Sequence, residues 1–181
     1  MTNAPPAPAW RTSAWFNTHE PLSLQALRGR VIVLHTFQML CPGCAIHALP
    51  QAQRVHEHFD ARDVAVVGLH TVFEHHEVMG SNALAAFLHE YRYRFPVGVD
   101  QARPGESTPY TMAAYGLRGT PSLVLIDRAG RLRDHHFGRI EDLALGARIT
   151  ALVAEHELGE AVGEAPTNDD TGMCSEDACA V

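Results

Sequence analysis

The stretch Val31-Ile32-Val33-Leu34-His35-Thr36-Phe37-Gln38-Met39-Leu40-Cys41-Pro42-Gly43-Cys44 decides how this chain is read. Residues 31–37 are β-branched and almost continuously apolar, the pattern of a central strand buried on both faces. Cys41-Pro42-Gly43-Cys44 follows at once and opens a helical segment in which Ile46, Leu49, Val55 and Phe59 recur at about helical spacing. Pro50 is expected to kink that helix. A dithiol at such a junction has a chemical rationale. Pro42 costs nothing in a first turn, and the free N–H groups and positive dipole end of the helix face the Cys41 sulfur. The thiolate is therefore stabilised and Cys41 is the expected nucleophile. Cys44, one turn on and more buried, is the expected resolving thiol that closes a Cys41–Cys44 disulfide.

Outward from this centre, Val64 to Leu69 reads as a second buried strand and Ser81 as the cap of a helix through Leu84, Leu88 and Tyr91. A short strand over 95–99 and a short helix over 112–115 come next. Strands at 122–126 and 131–137 flank the turn Asp127-Arg128-Ala129-Gly130, and a closing helix spans about 140–157. Residues 1–9, rich in Pro and Ala, read as a flexible lead, and 10–158 as one domain. Residues 159–181 read as an acidic flexible tail that carries a second cysteine pair, Cys174 and Cys179. The order of elements gives an α/β sandwich on a mixed sheet.

At 181 residues the chain is sized for one domain, and its 46% hydrophobic and 19% charged residues exclude fibrous and wholly disordered classes. A net charge of −7 argues against nucleic acid as a partner. No apolar run approaches the length of a membrane span, and Met1 to Pro6 has neither a basic nor an apolar signal region, so the expectation is a cytoplasmic protein without membrane contact. In a reducing compartment, paired cysteines imply redox chemistry or metal binding. A zinc site usually carries its cysteine pair in a turn between short strands, so the strand-to-helix position favours redox chemistry.

Gly119-Thr120-Pro121-Ser122 precedes an apolar strand, which makes Thr120–Pro121 a candidate cis peptide with free backbone groups beside the dithiol. Together with the buried strand, the Cys-Pro-Gly-Cys motif, Leu125 to Gly130 and the closing helix, it makes residues 10–158 resemble the thioredoxin superfamily, and within it the TlpA/ResA-like redoxin branch. The resemblance implies a thioredoxin-like fold with an N-terminal strand extension and a central strand-helix insertion. It also implies a Cys41 nucleophile, a Cys44 resolving thiol, and a cis-Pro121 with Thr120 lining the substrate groove. Leu40, Pro42 and Gly43 flank the same groove, and Met39 is expected to join Leu40 and Pro121 in an apolar collar.

The departures are specific. Leu40 stands where relatives usually carry Trp, and Pro42-Gly43 replaces the common Gly-Pro or Pro-Pro. His35 stands where thioredoxin has a buried Asp, six residues before the nucleophile. If it lies beneath Cys44 it is a possible proton acceptor in the resolving step; otherwise it is a strand histidine satisfied by a backbone carbonyl.

The expected activity is thiol-disulfide exchange on protein or peptide disulfides, of protein-disulfide reductase type, with no cofactor beyond the redox-active pair. An external reductant of the thioredoxin or glutathione kind would recharge it. Peroxiredoxins are the nearest rival enzymes, but their Pro-x-x-x-Thr/Ser-x-x-Cys loop would need Pro at Leu34 and Thr or Ser at Gln38. Cys174 and Cys179 form a possible relay, a soft-metal site or an inert dithiol. Glu74-His75-His76-Glu77 and His135-His136 are weak metal signals, because adjacent histidines in a strand face opposite ways, and no metal is expected.

Overall fold

The structure is a computed structural model that describes residues 4–161, with side chains described as far as residue 155. Six strands form one sheet in the order β1-β4-β3-β2-β5-β6. They are β1 (Thr12–Phe16), β2 (Val31–Phe37), β3 (Val64–His70), β4 (Val97–Asp100), β5 (Ser122–Ile126) and β6 (Leu132–Phe137). β2, β3 and β4 run parallel, while β1, β5 and β6 are antiparallel to their neighbours. The apolar runs over β2 and β3 become the central strands because every residue in both is buried, which only strands covered on both faces allow.

Alternation along β2 assigns the two faces. Val31, Val33 and Phe37 pack with Cys44, Leu49, Ala52, Leu84, Leu145 and Ile149, under α1 (Leu49–His58), α2 (Ser81–Glu90) and α4 (Asp142–Ala161). Ile32 and Leu34 face the other way, onto Leu27, Met112, Tyr115 and Leu117, beside α3 (Tyr110–Ala114). His35 and His70 share the parity of the first face and lie in its layer. Buried Asp100 ends β4 and accepts hydrogen bonds from the Thr111 and Met112 N–H groups at 2.8 and 2.9 Å, which fixes the start of α3.

Four expectations are corrected. The lead is not free: Leu132 N–H donates to the Pro5 carbonyl at 2.9 Å and Ala7 N–H to that of Gly130 at 3.0 Å, because the β6 edge offers unpaired groups to any neighbouring backbone. Gly80, in extended conformation, stands at the cap position of α2 and Ser81 is already its first residue, without a side-chain cap. α4 runs to Ala161 rather than ending near 157. The distortion expected at Pro50 is a π-turn just ahead of it, over Cys44–Ala48, in which Leu49 N–H bonds back to the Cys44 carbonyl. Widening the turn places Pro50 at the start of α1, where it has no intrahelical donor to lose.

Candidate active site

β2 ends at Phe37 in the buried layer, and three residues later the chain turns into the helix that carries the cysteines. Both thiols are free; Cys44 is fully buried and Cys41 partly open to solvent. Cys44 N–H donates to Cys41 Sγ at 3.3 Å, and the Cys41 thiol donates to the Thr120 carbonyl at 3.5 Å. The first contact is the helix-start N–H that the sequence places against the sulfur. Burial pushes the Cys44 thiol up to about 12, and the neighbouring Cys41 thiol adds to the rise against a smaller opposing pull from the Gln38 backbone and the Thr120 side chain. The two sulfurs are thus unequal, one accessible and the other held protonated within the core.

Thr120–Pro121 is cis, as the sequence suggested, and Gly138 N–H donates to the Pro121 carbonyl at 2.9 Å. A Cβ on Gly43 would lie 3.4 Å from Pro121 Cδ, so the glycine lets the helix start close against this loop. Leu40 is 58% exposed beside the site. Met39 is turned into the core instead of joining the collar, because buried side chains of the first-face layer take it up.

His35 is buried and its Nε2 has no hydrogen-bond partner, so that nitrogen is not satisfied by a carbonyl. Burial lowers its imidazole to about 4. It lines a cavity of about 240 Å³ together with Pro121 and Ser122, residues of the π-turn, and residues 138–143 leading into α4. The cavity therefore brings this buried imidazole to the same opening as the cis-proline.

Two features escaped the sequence reading. Buried Gln38 accepts from Phe73 N–H at 3.2 Å and donates to Glu74 at 3.2 Å, tying the active-site loop to the segment after β3. A glutamine closing an apolar run was the available signal. Arg118 lies over the Phe137 ring, 5.4 Å from its centroid, and a Cβ on the intervening Gly119 would come within 3.2 Å of that ring. No local motif marks this pair, which long-range folding brings together. Among the described residues, no group of three or more His, Cys, Asp or Glu side chains is placed to share a cation. Cys174 and Cys179 lie outside the described residues.

The sequence profile of the AhpC/TSA family matches residues 5–135, which cover most of the domain just described. The chain belongs to the AhpC/TSA family. It is similar to a crystallised thioredoxin-like superfamily protein, at 57% identity and a TM-score of 0.81 over 83% of this chain and 97% of that one. It is also similar to a thiol-disulfide isomerase from Corynebacterium glutamicum, at 47% identity and a TM-score of 0.80 over 84% and 97% of the two chains. Protein DipZ of Mycobacterium tuberculosis is 27% identical over 129 residues, which are 70% of this chain and 17% of that protein. The chain thus spans about a sixth of the curated relative's length. As an AhpC/TSA-family member of this redoxin branch, it has a thioredoxin-like fold. The described helices include none long and apolar enough to cross a membrane.

Proposed function

We propose that the protein reduces or exchanges protein and peptide disulfides through Cys41 and Cys44, in a reducing cytoplasmic compartment and without a further cofactor. The observation that carries this reading is the unequal pair: half-open Cys41 receives a helix-start N–H at 3.3 Å, and Cys44 is sealed beneath it. Cys41 as thiolate attacks one sulfur of the substrate disulfide, forms the mixed disulfide and releases the other sulfur as a thiolate. Cys44 then attacks Cys41, expels the second substrate sulfur and leaves Cys41–Cys44 oxidised, so two electrons pass to the substrate. Leu40, Pro42, Gly43, Thr120 and Pro121 flank the groove in which that substrate lies.

The resolving step needs Cys44 to lose a proton inside the core. His35 is the acceptor in this reading, supported by its unpartnered buried Nε2 and its place in the wall of the cavity shared with Pro121. Because burial holds its basicity down, the imidazole relays the proton towards the cavity rather than storing it. A dithiol of the thioredoxin or glutathione type regenerates the pair. A peroxidase reading finds no hydroxyl at position 38, where the Gln38 side chain is already engaged by Phe73 and Glu74.

The test is equilibration of the protein in dithiothreitol or glutathione redox buffers, followed by acid quench, alkylation and peptide mass assignment. A reversible Cys41–Cys44 disulfide is expected, together with a stable Cys41–substrate adduct in Cys44→Ser and none in Cys41→Ser. A pair that never oxidises, or an adduct on Cys44 instead, would overturn the reading.

A further inference from the structure

The pairing of β2 with β3 ends on a side chain. Thr71, just past β3, donates its N–H to the carbonyl of Phe37, the last residue of β2, at 3.0 Å. In a parallel pair the next donor on that edge is two residues on, Phe73 N–H, and its backbone acceptor would be the carbonyl of Met39. Met39 and Leu40 instead form the turn that leads into Cys41. Gln38 supplies the missing acceptor, and Phe73 N–H donates to its Oε1 at 3.2 Å. The other end of the same amide, Nε2, donates to Glu74 Oε1 at 3.2 Å. Gln38 is 1% exposed, and a buried amide with both ends engaged is held in one place.

The backbone of Gln38 serves the dithiol. Its carbonyl accepts the Cys41 N–H at 3.2 Å and closes the turn 38–41. The same backbone pulls the buried Cys44 thiol towards its ionised form. Beyond the turn, Cys41 Sγ meets the Cys44 N–H at 3.3 Å and the Thr120 carbonyl at 3.5 Å. Gln38 is the first residue of the turn and Cys41 the last, so a shift at one end displaces the sulfur at the other.

We infer that Gln38 is a positioning residue for the Cys41 nucleophile, and that Phe73 and Glu74, on the segment after β3, are the clamp that holds it. The inference rests on the dithiol cycle proposed above and adds what keeps its attacking sulfur in place. Attack on a disulfide needs that sulfur aligned with the bond it breaks, and a misplacement of about 1 Å costs up to about 100-fold. Releasing the side chain loosens the turn without removing it, so a smaller loss, about tenfold, is expected.

The test follows single-turnover formation of the Cys41 adduct with a peptide disulfide in the Cys44→Ser background, with urea unfolding of the same full-length proteins. Gln38→Met keeps the side-chain length and removes both hydrogen bonds; its rate per folded molecule should fall about tenfold. Glu74→Ala, at an exposed position, removes one bond and should lower the rate about threefold. Glu74→Gln still offers Gln38 an acceptor and should recover that loss. Gln38→Glu alone sets two carboxylates against each other and should be slow, whereas the exchanged pair Gln38→Glu/Glu74→Gln reverses the second bond and should regain most of the rate. Rates unchanged in Gln38→Met and Glu74→Ala, equal losses in Glu74→Ala and Glu74→Gln, or losses that vanish once the folded fraction is accounted for would overturn the inference. If Gln38→Met does not fold, the two Glu74 variants decide. A Cys44→Ser parent that forms no Cys41 adduct would remove the cycle itself, so the two failures are distinguishable.

Discussion

Two imidazoles lie in the same layer, on neighbouring strands, and have different surroundings. His35 on β2 lines a cavity shared with Pro121 and the π-turn, while His70 on β3 packs against the Phe37 ring, 5.2 Å between centroids. Both are buried, both have an unpartnered Nε2, and burial lowers both to about 4. Equal desolvation therefore does not distinguish them; the cavity that His35 shares with the cis-proline does. In the proposed cycle the same physical cost is borne in a place where a proton moves and in a place where none has to.

The largest effect expected from the pair is one they share. Each titrates near 4 when folded and near 6.5 when unfolded, so between those values the unfolded chain binds more protons. Stability is expected to be flat with respect to these groups above pH 6.5 and to fall as the pH drops towards 4, by up to about 3 kcal/mol for each histidine. Urea unfolding across this range should show the decline, and His35→Leu and His70→Leu should each remove about half of it. A profile unchanged in either variant would show that its imidazole is not held neutral.

The next effect separates them. His35→Leu is expected to leave formation of the mixed disulfide intact and to slow its resolution by about 100-fold, within the usual contribution of a placed proton acceptor. His70→Leu should change that rate less than twofold. Rapid-quench measurement of the Cys41 adduct checks both, and equal rates in the two variants would remove His35 from the cycle.

Gly68 sharpens the contrast because it pairs with His35 across β2 and β3 and stands two residues before His70. A Cβ there would come 2.9 Å from Phe95, 3.1 Å from Val97 and 3.3 Å from Phe37. Gly68→Ala is expected to cost about 1–3 kcal/mol by overpacking, read as a lower urea midpoint, with resolution unchanged. A resolution rate as slow as that of His35→Leu would mean that layer packing, and not the imidazole, sets it.

Much of the fold was legible because its signals are local. The apolar runs at 31–37 and 64–69, the hairpin around Gly130 and the Cys-Pro-Gly-Cys junction each state their own conformation, while the cis-proline was only a candidate from its place at a strand entrance and was implied by the family resemblance. What stayed illegible depends on distant partners. Whether Met39 turns inward depends on the core it meets, and Gln38 shows its bridging role only once residues 73 and 74 arrive beside it. Arg118 and Phe137 meet only after β5 and β6 have paired. The π-turn is a compromise between two constraints, a buried Cys44 and a proline six residues on, neither of which reveals it alone.

The lead paired along β6 contains Pro5, Pro6 and Pro8, with Ala7 between them. Ala7 turns its N–H inward to Gly130, and the prolines have none to offer, so this outermost segment receives the sheet without presenting a row of donors beyond it. It acts as a terminator for strand addition, protecting one border of the sheet from the edge-to-edge growth that starts aggregation. A fusion or truncation that strips the segment from β6 should thus be felt first as poorer colloidal behaviour at high concentration, before any loss at the cysteines some distance along the chain.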